Sequence, residues 1–356
     1  MLAAVLVVLV ALDAAGGGRN ERRAVTAAGA RPHPTPTRQS PPRRAVGTPG
    51  ATAATVTDRI RRTILTLHEP ADASIATAHS QTGEPIRVLS TVVRYPETSG
   101  ANAVNTGSVG NSPTGRFPLV VFSQGYDIAA EAYSALLTAW ARAGYVVADP
   151  TYPLTDPSAP SGVNEADILN HPADLRFVIS SLLAAGRNPH SPLYGLLDPH
   201  EVGIIGHSDG GDVSLAVAAN SCCRDPSIKA AVILSGAELS AFGGRYYASG
   251  SVPLLVVQGS ADTVNIPGCS AQLYDEAPAP KYYLDIPGAE HEPPYLDPAP
   301  ARSGVARAVI PFLDAYLKDQ PARLTSLVRA GRMPAGETIT STPVRAGAGT
   351  YCPGAP

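Results

Sequence analysis

The stretch Val202-Gly203-Ile204-Ile205-Gly206-His207-Ser208-Asp209-Gly210-Gly211 decides how this chain is read. A short apolar run ends in Gly-x-Ser-x-Gly, and a Gly/Ala-rich segment with helical character follows to about Asn220. A serine in such a strand-to-helix turn stands its hydroxyl clear of the sheet. Glycines two residues to either side leave room for the turn. The helix N-terminus beyond it adds positive potential where an oxyanion would form. In isolation the pattern is weak; it gains weight from the elements around it.

Outward from the turn, strands and helices alternate. Arg87–Arg94, Pro118–Ser123, Tyr145–Ala148, Val202–Ile205, Ala230–Leu234, Pro253–Val257 and Tyr282–Ile286 have the β-branched or continuous apolar character of strands. Ala129–Ala143, Ile168–Leu183, Ser270–Glu276 and Val305–Leu317 have helical spacing. This alternation predicts an α/β fold, a mostly parallel sheet with helices on both faces. The segment between Ser208 and Asp262 is used up by one helix, two strands and the loop Gly236–Ser251, which leaves no room for a large cap domain there.

Two loops complete a catalytic constellation. Asp262 follows the strand Pro253–Val257, where a carboxylate can accept from a histidine Nδ1–H and fix its tautomer. His291 follows Tyr282–Ile286, where its imidazole can reach Ser208. Ser208 is then the nucleophile, His291 the base and Asp262 the orienting acid; capping a turn is the simpler role for Asp262. Asp285 is the rival acid but reads as a surface or strand-end residue. Of the other histidines, His207 adjoins the serine yet reads as structural. His33, His68, His79, His171, His190 and His200 lie away from the right sheet edge. An oxyanion hole needs two amide donors, expected from Asp209 and from Tyr126 in Ser123-Gln124-Gly125-Tyr126. The Tyr126 ring and Tyr152 are expected to bind substrate, with Pro153, Tyr246 and Tyr247 as further lining; a plain turn or surface residue is the alternative for each.

FPLVVFSQGY (Phe117–Tyr126), IIGHSDGG (Ile204–Gly211), LLVVQGSADTVNIP (Leu254–Pro267) and IPGAEH (Ile286–His291) resemble α/β-hydrolase serine esterases. The likeness is to cutinase-like polyesterases, dienelactone hydrolases and platelet-activating-factor acetylhydrolase-like proteins, and covers about Gly83 to Leu317. It implies the α/β-hydrolase fold and hydrolysis of lipid-like, polymeric or small carboxylic esters through an acyl-enzyme, with amides of Tyr126 and Asp209 at the oxyanion. Gln124 and Asp209 depart from the family pattern, in which the residue after the nucleophile is commonly Met or Leu. A carboxylate there opposes the oxyanion if it faces the pocket, or favours the helix N-terminus if it points that way. An acyltransferase using the same triad and a non-catalytic binding protein of this fold remain the alternatives.

Composition narrows the rest. The 356 residues are 44% hydrophobic and 16% charged, enough to bury one sizeable core, and a net charge of −3 gives no reason to expect nucleic acid as partner. Residues 1–18 fit a signal peptide or anchor, although no Lys or Arg precedes Arg19. Residues 19–57 read as a disordered Pro/Arg-rich linker, 58–320 as the catalytic domain and 321–356 as an extension that Cys352 can tether. The expectation is a secreted or envelope-associated monomer acting on a small or polymeric ester, with no cofactor, no metal and no stable membrane span. The four cysteines, Cys222, Cys223, Cys269 and Cys352, have no metal spacing. Adjacent cysteines strain the backbone when bonded together, so Cys222 and Cys223 are each expected to pair with Cys269 or Cys352. Four reduced thiols are the alternative.

Overall fold

The computed structural model describes residues 56–70, 86–98, 116–296, 300–330, 338–340 and 352. The apolar run at 1–18 and all but the end of the expected linker at 19–57 lie outside them. Among the described residues, nine strands form one sheet: β1 (Val56–Pro70), β2 (Ile86–Thr98), β3 (Phe117–Ser123), β4 (Val146–Thr151), β5 (Leu197–His207), β6 (Ile228–Leu234), β7 (Leu254–Gly259), β8 (Lys281–Ile286) and β9 (Thr338–Thr340). Their order is β1-β2-β4-β3-β5-β6-β7-β8-β9. Strands β3 to β8 pair in parallel, while β1, β2 and β9 add antiparallel edges.

The helices are α1 (Ser134–Arg142), α2 (His171–Ala185), α3 (Asp209–Ala219), α4 (Pro267–Glu276), α5 (Pro293–Leu296), α6 (Pro300–Leu317) and α7 (Arg323–Ala330). Successive strand residues face opposite sides, so β3 sends Leu119 and Val121 into one core and Val120 and Phe122 into the other. The first core takes Leu175 and Val178 of α2 and Leu215 of α3; the second takes Trp140 of α1 and Phe312 of α6. Continuous apolar strands such as PLVVF are what burial on both faces demands. Each large side chain so enclosed contributes about 1.5–3 kcal/mol.

The sheet order also locates the site. From β3 the chain winds outward to β4, then returns to lay β5 on the other side of β3. The loops after β3 and β5 therefore diverge and open a crevice at the carboxyl ends of the strands, where ligands bind in open α/β sheets. Among the described residues, no helix is long and apolar enough to cross a membrane.

The cysteines depart from expectation. Cys222 bonds to Cys223, and Cys269 bonds to Cys352. The pairing of Cys222 and Cys223 with more distant partners is thus overturned, and topology supplies the reason. Cys222 and Cys223 sit in the turn after α3, about 16 Å along that helix from the crevice. Cys269 lies at the start of α4, on the crevice itself.

Candidate active site

Ser208 occupies the turn between β5 and α3 with φ 54° and ψ −128°, a conformation that non-glycine residues rarely adopt. Its amide is fixed by a 3.0 Å bond to the Leu234 carbonyl. The flanking glycines have no substitutes. A Cβ at Gly206 would overlap the Gly210 carbonyl, and one at Gly210 would overlap the Ser123 carbonyl. The elbow is thus pressed against its own helix and against the end of β3.

Three side chains from separate strand ends meet at this point. His291 Nε2 lies 2.8 Å from Ser208 Oγ, and His291 Nδ1 lies 2.8 Å from Asp262 Oδ2. Asp262 is held in turn: Gln258 Nε2 donates to Oδ2 at 3.0 Å and the Val264 amide donates to Oδ1 at 2.9 Å. Gln258 is itself fixed by Ser270 Oγ, which donates to its Oε1 at 2.6 Å. All three members are nearly enclosed, with 8%, 8% and 3% exposure for Ser208, His291 and Asp262. Low exposure strengthens each electrostatic contact relative to water. Asp285, the rival acid, is buried within β8 rather than at the surface, and His291 turns to Asp262 instead.

A second buried string ties the loops together. The Gly125 amide donates to Tyr133 Oη at 3.2 Å, Tyr133 Oη lies 2.7 Å from His207 Nδ1, and His207 Nε2 lies 3.1 Å from the His291 carbonyl. Burial, and then the charge of His291, push the His207 pKa well below the usual imidazole range. A neutral His207 must donate from Nε2 to that carbonyl and so accept from Tyr133 at Nδ1. The β3 loop, the elbow and the histidine loop are joined by this chain. Tyr133 and Gln258 carry no local sequence signal for such roles, because only the fold brings them here.

Tyr126 and Asp209 both line the crevice beside Ser208 and His291. A Cβ at Gly125 would lie 3.2 Å from Ser208 Cβ, so the β3 loop runs directly against the elbow. Asp209 opens α3, where an amide has no intrahelical acceptor. Among the described residues, the Tyr126 amide donates to no backbone carbonyl. The Asp209 side chain also faces the crevice. Its Oδ2 is buried without a hydrogen-bond partner, and burial, then the charge of Glu165, raise its pKa to about 6.

Tyr152 is a correction. Expected as substrate lining, it is fully buried, bonds Ser123 Oγ at 2.9 Å and stacks on His171 with ring centroids 3.8 Å apart. The chain turns its ring under β3 because a buried polar cluster receives it. Arg87 there binds Asp167 and Asp174 through four hydrogen bonds of 2.6–2.8 Å. Tyr246, Tyr247 and Pro153 do not line the crevice either; the two tyrosines pack against the first core.

The crevice measures about 770 Å³. Its lining takes in the short helical turn Glu165–Asn170, anchored by the Arg87 cluster, together with Val264, Asn265 and the Cys269–Cys352 bond. Leu169 and Val264 stand 51% and 66% exposed at its mouth. Among the described residues, no group of His, Cys, Asp and Glu is placed to hold a metal ion.

Sheet order, a strained serine elbow and a histidine loop at one rim define a protein of the α/β-hydrolase fold. A family model described as PET hydrolase-like matches residues 76–337. The chain therefore belongs to the PET hydrolase-like family, and its chemistry is hydrolysis at ester bonds. No curated protein matches it.

Proposed function

We propose that the protein is an exported serine hydrolase of carboxylic esters, with Ser208 as nucleophile, His291 as general base and acid, and Asp262 as the orienting carboxylate. The observation that carries this reading is the unbroken relay of two 2.8 Å contacts from Ser208 through His291 to Asp262. Ser208 Oγ attacks the ester carbonyl while His291 Nε2 takes its proton. The oxyanion is held by the amides of Tyr126 and Asp209, and His291 then protonates the departing alcohol. Water repeats the cycle on the acyl-enzyme. The groups are at hand for acyl transfer to water, and the scheme calls on no cofactor.

The substrate is a lipid-like or polymeric ester, or a small ester of similar apolar character. The exposed Leu169 and Val264 at the mouth support this, since they offer contact to a substrate larger than the crevice. The Tyr126 ring serves as the wall of the acyl site. Two disulfides fit an oxidising compartment, consistent with export of a monomer.

The test is hydrolysis of p-nitrophenyl esters from C2 to C16 by the wild type and Ser208→Ala, with and without an alcohol acceptor. Loss of about 10⁴-fold or more in kcat on removing Ser208 is expected, in line with the cost of removing a catalytic serine. Equal rates for the two proteins end the catalytic assignment. Ester formation outpacing hydrolysis when alcohol is present makes the enzyme an acyltransferase.

A further inference from the structure

Every carboxylate or cationic side chain that lines the crevice, His291 aside, is acidic: Glu165, Asp209, Asp212 and Glu292. None is Lys or Arg. The nearest buried cation on that wall, Arg87, is consumed by Asp167 and Asp174, so the Arg87 cluster adds no positive field. The acidic residues do not make a site of their own; they surround the one that holds Ser208. Asp209 Oδ2 is buried in the crevice and accepts no hydrogen bond, whereas Asp212, deeper and 4% exposed, accepts from the Ala237 amide. Asp209 lines the crevice directly after the serine, where its carboxylate can meet a donor or cation supplied from outside.

We infer that the crevice selects esters bearing a positively charged group, such as a quaternary or protonated ammonium, a few bonds from the scissile carbonyl, and rejects esters bearing a carboxylate there. This rests on the reading of Ser208, His291 and Asp262 as the hydrolytic centre. The physical case has two parts. Low-dielectric walls lined with one sign of charge concentrate ligands of the other sign. In addition, Asp209 follows the nucleophile directly, so its carboxylate opposes the oxyanion that forms during attack. A substrate ammonium seated against Asp209 cancels that opposition in the transition state. Selection therefore shows in kcat as well as in KM. At pH 8 the Asp209 carboxyl, with its pKa raised to about 6 by burial and by Glu165, is ionised.

Three p-nitrophenyl esters of matched length and shape separate the outcomes: 5-(trimethylammonio)pentanoate, its uncharged isostere 6,6-dimethylheptanoate, and the monoester of adipate. With the wild type at pH 8 and low salt, kcat/KM should rise about tenfold or more from the neutral to the cationic ester, and fall by a similar factor for the anionic one. Asp209→Asn should compress both ratios. So should Glu165→Gln, a change at an exposed residue that leaves the buried crevice floor intact, and 0.5 M salt should weaken what remains. Ratios within twofold of one another, or a preference that survives unchanged when Asp209→Asn and Glu165→Gln are combined, overturn the inference while rapid hydrolysis of the neutral ester leaves the serine-hydrolase reading standing. Failure to hydrolyse any of the three sinks that earlier reading instead.

Discussion

Two aspartates flank the same histidine and serine, and their surroundings set them apart. Asp262 lies under His291 and accepts from His291, from Gln258 and from the Val264 amide, so both of its oxygens are used. Asp209 lies on the crevice floor with one oxygen buried and unpartnered, and burial lifts its pKa to about 6. The same side chain thus has both oxygens satisfied on one side of the serine and, on the other, a carboxyl that burial makes harder to ionise. Two carboxyls with opposite surroundings in one cleft usually have different duties. In the proposed mechanism one orients a base, and in the inferred specificity the other reads the charge of what enters.

Breaking the fully hydrogen-bonded side of this pair should have the largest effect. Asp262→Asn keeps the volume but favours the wrong His291 tautomer, and kcat should fall about 10⁴-fold with the fold intact, as seen when an orienting aspartate is neutralised; steady-state kinetics alongside circular dichroism check this. Cutting the link that closes the wall beside Asp262 should cost stability. The Cys269–Cys352 bond spans 83 residues, so the double serine variant should lose about 4 kcal/mol by chain entropy, read as a Tm about 10 °C lower. The Cys222–Cys223 bond closes no loop, and its double serine variant serves as the comparison, with little change in Tm.

On the other side, Asp209→Asn should stabilise the protein, and only at higher pH. The folded pKa of about 6 lies above the ~3.9 of an unfolded aspartate. The folded state therefore holds the proton more tightly, and this contribution is present below about pH 4 and lost as pH rises through 6. The charges facing the carboxyl are Glu165, which raises its pKa, and His171 and His291, which lower it. The variant should gain about 3 kcal/mol over the wild type at pH 8 and nothing at pH 4, measured by urea unfolding at both values. The smallest effect is expected at Gln258→Leu, which frees one oxygen of Asp262 from a donor; kcat should drop about tenfold. A rate unchanged by that substitution removes Gln258 as a positioning residue.

How much of this could be read from residues alone differed across the sheet. The interior strands announce themselves because burial on both faces leaves only apolar choices, as in LVVF and LLVV. Ser208, Asp262 and His291 were legible because each follows such a strand, and the elbow forces glycine at Gly206 and Gly210. The margins were not. Strand β1 has one half-buried face and carries Arg61, Arg62 and an exposed Ile64, so it blends into the Arg-rich stretch before it. Strand β9 has three residues, too few to show a period. Tyr152 was misplaced because a residue after a strand is expected at the rim, yet Ser123 and His171 draw its ring inward. The cysteine pairing failed for a similar reason. Local backbone strain is visible in two adjacent cysteines, but the length of α3 that separates the two ends of the sheet is not.

The most direct test of the Ser208 assignment is the site of covalent capture. After reaction with a fluorophosphonate probe, peptide mass spectrometry should find a single adduct, on the peptide carrying Ser208, and none in Ser208→Ala. An adduct on a different serine, or ester turnover that persists at the wild-type rate when Ser208 is blocked, contradicts it.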